Sequence, residues 1–570
     1  MQITIIKELR AEPERAEVPE GILLSDLADR YQQEVPYQIL AAKVNNKLED
    51  LNEEVVENGV IEFLDMRTQA ANLIYQHSLS MIFLKAISDV VGKANVEIAN
   101  SLNKGLYTEV RLFREEKDSE GKIKYREDFI NADEIRRVEE RMREIVDKDI
   151  PFFRQTCSRE KAAAQLVGDG DVEKMRILNS TNVKTMAFYS LEGYWNFFYG
   201  KMVPSTGYVP YFELRPYNEG KAVLLRFPHH SDPNRILPYE DDFLLSHAFG
   251  ETKKWGRLMK CAFVADLNDK IKAGSIRELI LISEALHAKK IAELAEQIKG
   301  EGKRIILIAG PSSSGKTTFA KRLNIQLRVE GLEPLYLGTD DYFVERAETP
   351  LDKNGEPDFE SLAAIDVKLF NRHLRELLEG KEVDIPTFDF LTGHKEFGRR
   401  RISIKSNQPI VIEGIHALND AMTPDVLPEE KFKIYISPLT NLSIDAHNRI
   451  PTTDSRMLRR LVRDYLYRGH DAQKTIRDWP KVRAGEFANI FPYNSKADVL
   501  FNSAHIYELA VLKKHAAPLL ESISREEEEY AEARRMLDFL RFFQTIEDET
   551  IIPNHSILRE FIGGSVFVEG

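Results

Sequence analysis

A nine-residue segment from Gly310 to Thr318 has the residue types and spacing of a phosphate-binding loop. Its glycines let the backbone curl so that successive N–H groups point at one polyphosphate. Lys316 is then placed to reach the outer phosphates, and the Thr317 hydroxyl to ligate Mg²⁺. The residues expected to bind the phosphates are Gly310, Ser312, Ser313, Ser314, Gly315, Lys316, Thr317 and Thr318.

The segments on either side of this loop predict a strand before it and a helix after it. Residues 305–309 form an unbroken apolar run, and Phe319, Leu323 and Leu327 have helical spacing. The helix would point the positive end of its dipole at the same anion. Strand, loop and helix in this order therefore predict a nucleotide-phosphate site.

Two carboxylates that follow other predicted strands are candidates for the remaining chemistry of phosphoryl transfer. Asp340 follows the run 335–338 and would accept a hydroxyl proton; alternatively, it belongs to a polar loop that caps the strand. Glu413 follows the apolar run 409–412, where a metal-side acid belongs in open α/β sheets; alternatively, it faces solvent at the strand end. The phosphate loop favours the chemical interpretation of both residues.

A basic segment, residues 456–468, places cations at helical spacing before a glycine. Arg456, Arg459, Arg460 and Arg463 share one broad face by steps of three and four. Such a helix is usually a solvated face or a nucleic-acid surface, but beside a phosphate loop it predicts a mobile arginine lid over ATP. The cations expected to stabilise charge on the transferring group are Arg463 and Arg468.

Other classes of phosphate-loop protein lack support in this sequence. A GTPase would need a guanine-reading Asn-Lys-x-Asp motif in this domain, and the similar run at 46–49 lies elsewhere and has Glu in place of Asp. A transport ATPase would need a Ser-Gly-Gly signature, which does not follow the loop. A small-molecule kinase remains.

The composition of the chain limits the classes of protein to which it can belong. A chain of 570 residues predicts three or four domains, and 43% hydrophobic with 30% charged residues is ordinary for a globular protein. The net charge of -13 argues against a general nucleic-acid binder. Two cysteines exclude a disulfide framework and a Cys-rich zinc module. With no membrane-length apolar run and no signal-peptide pattern, we expect a cytoplasmic protein without membrane contact.

The pattern of elements predicts a multidomain α/β and α+β chain. The predicted segments are a ubiquitin-like domain at 1–66, an α+β unit at 67–245, a helical connector at 246–300, a phosphate-loop domain with a parallel sheet at 301–522, and a C-terminal helix and tail at 523–570. The acidic run in the last segment and the helix after it are expected to be a solvated face and a packing face. No chemistry is assigned to that segment.

Residues 303–520 resemble the uridine kinase and phosphoribulokinase family. Asp340 after Thr339 is similar to the family's catalytic base, and Glu413 before a glycine is similar to its metal-side carboxylate. The pairs 463–464 and 468–469 resemble its Arg-Asp and Arg-Gly lid. The resemblance implies a P-loop kinase fold that uses ATP and Mg²⁺.

The same resemblance implies an acceptor pocket. Glu360 matches a ribose-contacting carboxylate with one extra methylene, and the run 385–390 is similar to an Ile-Pro-x-Tyr-Asp-Phe segment that lines a nucleoside pocket. The run supplies Phe388, where the family has tyrosine, and Asp389; His394 is shifted by one position from the histidine expected to touch a pyrimidine. A nucleoside acceptor is therefore expected, while uridine itself stays open, because a lost polar contact can change discrimination by orders of magnitude.

The front half resembles the N-terminal part of threonyl-tRNA synthetase, its TGS module followed by its editing domain. Residues 41–48 are similar to the module's hairpin, and His77 and the run 200–207 are similar to parts of the editing site. Other expected histidine and cysteine positions are occupied by Met81, Phe198 and Met202. One histidine cannot build a site that needs several ligands, so we expect this domain to be inactive and His77 to be packed or exposed without chemistry.

These patterns together predict an ATP- and Mg²⁺-dependent kinase acting on a hydroxyl of a uridine- or cytidine-like nucleoside. Two alternatives remain open: a regulator associated with tRNA or the ribosome whose nucleotide site acts as a switch, and a kinase for another metabolite such as a sugar phosphate. A homo-oligomer is expected, and tRNA is a candidate partner through the front half.

Overall fold

The computed structural model describes residues 1–117, 123–169, 171–352, 355–389, 392–440 and 442–568. Phe390, which ends the run similar to a nucleoside pocket, lies outside them. Within the described ranges, no helix has both the length and the apolar character needed to cross a bilayer.

The first unit is a mixed five-stranded sheet with one helix. Its elements are β1 (Gln2–Ile6), β2 (Glu14–Glu17), α1 (Leu24–Tyr31), β3 (Ala41–Val44), β4 (Lys47–Glu49) and β5 (Gly59–Leu64). The strand order is β2-β1-β5-β3-β4, with β1 parallel to β5. Asn45 and Asn46 both have positive φ angles in the β3–β4 turn, which suits a tight hairpin. The assignment of this unit to the TGS family stays a prediction.

The described residues of the second unit form two antiparallel sheets and four helices. Its elements are α2 (Gln69–Val91), β6 (Ala94–Leu102), β7 (Gly105–Lys117), β8 (Ile123–Phe129), α3 (Ala132–Asp147), β9 (Phe153–Ser158), α4 (Arg159–Asp169), α5 (Val172–Ser180), β10 (Thr185–Leu191), β11 (Tyr194–Phe197), β12 (Glu213–Tyr217) and β13 (Ala222–Arg226). One sheet has the order β12-β13-β7-β6 with β8 on β7, and the other has β11-β10-β9. Helix α2 is buried along most of its length because apolar residues occur on all its faces.

Three helices follow where the sequence predicts a connector. They are α6 (Phe243–Leu258), α7 (Val264–Lys272) and α8 (Ile276–Gly300). Ile291, Leu294 and Ile298 of α8 are buried against the phosphate-loop domain. These helices therefore belong to the packed core and do not act as a free linker.

The phosphate-loop domain is built on a five-stranded parallel sheet, as the sequence predicts. Its elements are β14 (Ile305–Ala309), α9 (Lys316–Val329), β15 (Leu335–Gly338), α10 (Val367–Leu378), β16 (Val383–Asp384), β17 (Thr387–Asp389), β18 (His394–Glu396), β19 (Arg401–Ile402), β20 (Ile410–Glu413), β21 (Lys431–Ser437), α11 (Thr452–Arg468), α12 (Ala472–Asn489), β22 (Val499–Asn502) and α13 (Glu508–Glu521). The sheet order is β15-β20-β14-β21-β22. The carboxyl ends of β14, β15 and β20 meet at one edge, where ligands bind in such sheets.

The C-terminal segment folds back over the rest of the molecule. It contains α14 (Tyr530–Leu540) and the one-turn helix α15 (Arg559–Ile562). One hydrophobic cluster joins residues from 157–280 with residues from 442–562. Part of the second unit, between Cys157 and Tyr199, therefore shares a core with α11 to α13 and the C-terminal segment, while the rest of the unit packs in a cluster of its own.

Candidate active site

The phosphate loop connects the buried strand β14 to α9, as the sequence order requires. A β-carbon on Gly310 would lie 2.1 Å from the carbonyl oxygen of Ile436, so the backbone of this position passes too close to β21 for a side chain. Gly315 has a φ of 84°, and a β-carbon there would lie 2.4 Å from Ile557. Both glycines are therefore required by the geometry of the loop.

The polar groups of the loop suit a polyphosphate. Lys316 donates from Nζ to the carbonyl oxygen of Pro311 at 3.3 Å. The hydroxyls of Ser313 and Ser314 are buried and have no partner within the described part of the chain. Buried donors that lack a partner are costly unless a ligand satisfies them, so these groups fit a bound phosphate.

A pair of oxygen donors beside the loop fits Mg²⁺. The Thr317 hydroxyl donates to Oε2 of Glu413 at 3.4 Å, and the Tyr336 hydroxyl donates to the same oxygen at 3.0 Å. Burial raises the pKa of Glu413 to about 7; Lys316 opposes the rise and Asp340 adds to it. Hard oxygen ligands from two residues, with the other positions left to phosphates and water, are the usual protein share of a Mg²⁺ site.

Asp340 and Asp341 follow β15, and their partners differ. Oδ2 of Asp341 accepts from Arg400 at 2.7 Å. Asp340 makes no side-chain hydrogen bond or ion pair with any described residue, and its side chain faces solvent. Protein crowding around this carboxylate desolvates it and raises its pKa, an effect that Lys316 and Arg468 oppose and Asp341 reinforces. An unpaired carboxylate with a raised pKa is suited to accept a proton.

Two of the four arginines of the lid that the sequence predicts on α11 are buried in ion pairs, so they do not belong to a mobile lid. Arg456 and Arg459 are 2% and 0% exposed. Arg456 pairs with Glu486, and Arg459 donates to both carboxylate oxygens of Glu508, at 3.1 and 2.6 Å. The helix is largely buried from Asp454 to Val462, whereas residues 465–468 at its C-terminal end are exposed. Arg456 and Arg459 therefore stabilise the fold.

The more C-terminal arginines of α11 surround one buried carboxylate. Asp464 lies 2.7 Å from Arg463, 3.2 Å from Arg460 and 3.5 Å from Arg468. Arg460 also donates to the Ser312 hydroxyl at 2.9 Å. Arg460 is therefore the arginine of this group that contacts the phosphate loop. Arg468 interacts electrostatically with Asp340, whereas the contacts of Arg463 are with Asp464.

The predicted acceptor residues lie around the segment that follows β15. Phe388 is buried and packs against Phe343 with ring centroids 5.6 Å apart. Asp389 and His394 are paired residues of the β17–β18 hairpin, and His394 lies 2.6 Å from Glu345. Glu360 is half-buried, and burial followed by the nearby charge of Glu486 raises its pKa.

Two carboxylates accept hydrogen bonds from the phosphate loop, and neither was among the predicted site residues. Oε1 of Glu486, on α12, accepts from the Ser312 N–H at 3.0 Å. Oε2 of Glu560, on α15, accepts from the N–H and the hydroxyl of Thr318 at 3.1 and 2.7 Å. Both lie more than 170 residues beyond the loop. Only the fold brings them to it, so no local pattern could have identified them.

The predicted remnant of an editing site is packed with apolar side chains. Met81, Phe198 and Met202 are buried, and His77 packs against Phe198 with ring centroids 5.8 Å apart. Burial lowers the pKa of His77 to about 4, so this imidazole is neutral at physiological pH. A cavity of about 400 Å³ lies beside His77, with Lys201 among its lining residues.

The sheet, the loop and the oxygen donors define a phosphate-loop α/β domain of the kind that binds nucleotides. A sequence profile described as the phosphoribulokinase / uridine kinase family matches residues 305–510. A uridine kinase from Staphylococcus aureus is 30% identical over 208 residues, which are 36% of this chain and 91% of that kinase. The chain therefore belongs to the phosphoribulokinase / uridine kinase family.

Other comparisons concern the N-terminal half and the fold. The N-terminal half is similar to a threonine–tRNA ligase from Bacillus velezensis, 25% identical over 199 residues. That match covers 35% of this chain and 29% of the ligase, less than a third of its length. A solved structure from Bacillus stearothermophilus, described as a candidate uridine kinase, has 22% identity and a TM-score of 0.26, covering 37% of this chain and 97% of that one.

Proposed function

We propose that this protein is an ATP- and Mg²⁺-dependent kinase that phosphorylates a hydroxyl group of a uridine- or cytidine-like nucleoside. The observation that carries the proposal is Asp340: an unpaired carboxylate at the strand ends that interacts electrostatically with Lys316 of the phosphate loop. A kinase needs a proton acceptor and a phosphate-binding cation at one site. Family membership supports the reaction class.

Each residue would contribute through its own chemistry. Asp340 takes the proton of the acceptor hydroxyl, while Lys316 and Arg468 lower the energy of negative charge on the transferring group. Thr317 and Glu413 would hold Mg²⁺, which neutralises phosphate charge when bound. Glu360 and the β17–β18 hairpin would orient the acceptor.

A second candidate acceptor is another hydroxyl metabolite, such as a sugar phosphate. Phe388 is buried against Phe343 and offers no hydroxyl, and His394 is already engaged by Glu345. Two of the polar contacts expected for a pyrimidine are therefore absent or occupied. A site built to hydrogen-bond one substrate group strongly rejects substrates that lack that group. The loss of these two contacts therefore leaves room for an acceptor other than a pyrimidine nucleoside.

An acceptor panel tests the proposal. ATP consumption is measured with uridine, cytidine, purine nucleosides and sugar phosphates, each with and without added tRNA. We expect turnover with a pyrimidine nucleoside. Turnover with sugar phosphates alone would favour the second candidate. Flat traces with every acceptor, together with salt-sensitive tRNA binding, would instead support a tRNA-associated regulator.

A further inference from the structure

The N-terminus of α9 is where a phosphate loop presents its N–H groups to the nucleotide. The first N–H groups of a helix lack partners within the helix and attract anions. Thr318 is the third residue of α9 and belongs to the loop motif. Its N–H and hydroxyl are therefore part of the cradle that a polyphosphate would use.

In this structure both donors of Thr318 are already bound by a carboxylate of the same chain. Oε2 of Glu560 accepts from the Thr318 N–H at 3.1 Å and from the Thr318 hydroxyl at 2.7 Å. A phosphate oxygen bound at this position would accept the same two hydrogen bonds, from the N–H and from the hydroxyl of Thr318. A carboxylate and a phosphate carry the same sign of charge, so they exclude each other there.

The segment that carries Glu560 is anchored in the core. Ile557 and Phe561 are fully buried, and Ile557 lies against Gly315 of the loop. The guanidinium of Arg459 lies 4.9 Å from the ring centroid of Phe561. Lys321, on α9, donates to the carbonyl oxygen of Phe567 at 2.8 Å. The backbone of the segment is thus held in place, so release of Thr318 would require rotation of the Glu560 side chain rather than movement of the segment.

We propose that Glu560 is an internal competitor of the nucleotide: its carboxylate occupies a phosphate position of the loop, and ATP binds only after displacing it. The inference rests on the proposed role of the loop as a nucleotide site. The alternative is that Glu560 only caps α9, as acidic side chains do at helix N-termini. The two roles predict different effects of the Glu560 charge on nucleotide affinity: a competitor weakens binding, whereas a helix cap does not.

A neutral side chain of the same shape separates these alternatives. Glu560→Gln keeps an oxygen that can accept from Thr318 but removes the charge. Binding of MgATP and of magnesium tripolyphosphate to the full chain is measured by calorimetry without an acceptor. We expect both ligands to bind Glu560→Gln at least about tenfold more tightly than the wild type, because removing a like charge favours the phosphates.

Two further variants complete the experiment. Glu549→Gln removes a carboxylate of the same segment that pairs with Lys514 and His515, so its affinities should stay within about twofold of the wild type. Glu560→Asp keeps the charge but shortens the side chain, and should tighten binding by a smaller factor than Glu560→Gln. It also gives a readout if Glu560→Gln does not fold.

The proposal is overturned if folded Glu560→Gln binds both ligands no more tightly than the wild type, or if neither protein binds them. It is also overturned if Glu549→Gln tightens binding equally, since the effect would then be general to the segment. Because no acceptor is present, a failure of the acceptor panel leaves this result standing. Tighter binding of tripolyphosphate locates the competition at the phosphates rather than at the base.

Discussion

Asp340 and Asp341 are neighbours in sequence, yet their surroundings give them different roles. Asp341 is engaged in an ion pair with Arg400 at 2.7 Å, which ties the segment after β15 to the residues before β19. Asp340 has no such partner among the described residues and faces the solvent side of the site. The sequence alone permits either carboxylate to be the base, and the position of Arg400 favours Asp340.

At this scale we predict that Asp340→Asn retains MgATP binding and loses turnover by about 10²- to 10⁴-fold, the usual contribution of a general base. Asp341→Asn is the matched variant: it breaks the Arg400 ion pair but keeps the proposed base, so its loss should be much smaller. Turnover is measured with the best acceptor of the panel, and binding by calorimetry. Near-normal turnover in Asp340→Asn would remove this residue from the role of base.

Among the elements, α11 departs most from its sequence-based interpretation. Its arginines at steps of three and four are typical of a cationic surface. Buried Glu486 and Glu508 lie on α12 and α13, and each pairs with an arginine of α11. A charged helix can be buried when paired carboxylates come from its neighbours, and those partners are distant in sequence.

We predict that Arg459→Met destabilises the protein by about 3–5 kcal/mol, because it leaves the buried carboxylate of Glu508 without its partner. Lys474→Met, on α12, breaks an exposed pair with Asp478 and should cost less than about 1 kcal/mol. Chemical denaturation of both variants is the measurement. Equal unfolding midpoints would mean that the buried pair is not needed for stability.

At the scale of the whole molecule, the units predicted from the sequence differ in how much of their hydrophobic core they share with other units. The hydrophobic cluster of the first unit consists of residues between Ile3 and Phe63, with Tyr208 packed against it. The cluster around α11 to α13 also contains residues from the second unit and the C-terminal segment. Asp454 of α11 forms a two-bond ion pair with Arg535 of α14, at 2.6 and 2.7 Å.

This difference predicts the behaviour of two fragments. Residues 1–66 should fold alone but with reduced stability, because the hydrophobic cluster between Ile3 and Phe63 is internal, whereas Leu40, Ala41, Leu64 and Met66 pack into the core of the second unit. Residues 301–522 should aggregate or unfold well below the melting temperature of the full chain, because α11 and α13 would expose apolar surface to water. Circular dichroism during heating measures both. A cooperative transition of fragment 301–522 at the full-chain temperature would contradict the shared core.

The local sequence was sufficient to predict the phosphate loop, its flanking strand and helix, and the parallel sheet. These elements depend on glycine conformation and on apolar runs, and both are set by residues that are close in sequence. It also placed Asp340 and Glu413 at strand ends. The tertiary structure alone decided the partners: Glu508 for Arg459, Arg400 for Asp341, and Glu560 for Thr318. These contacts join residues between 49 and 242 positions apart. Burial and pairing of a charge depend on what the folded chain brings beside it, and no local pattern records that.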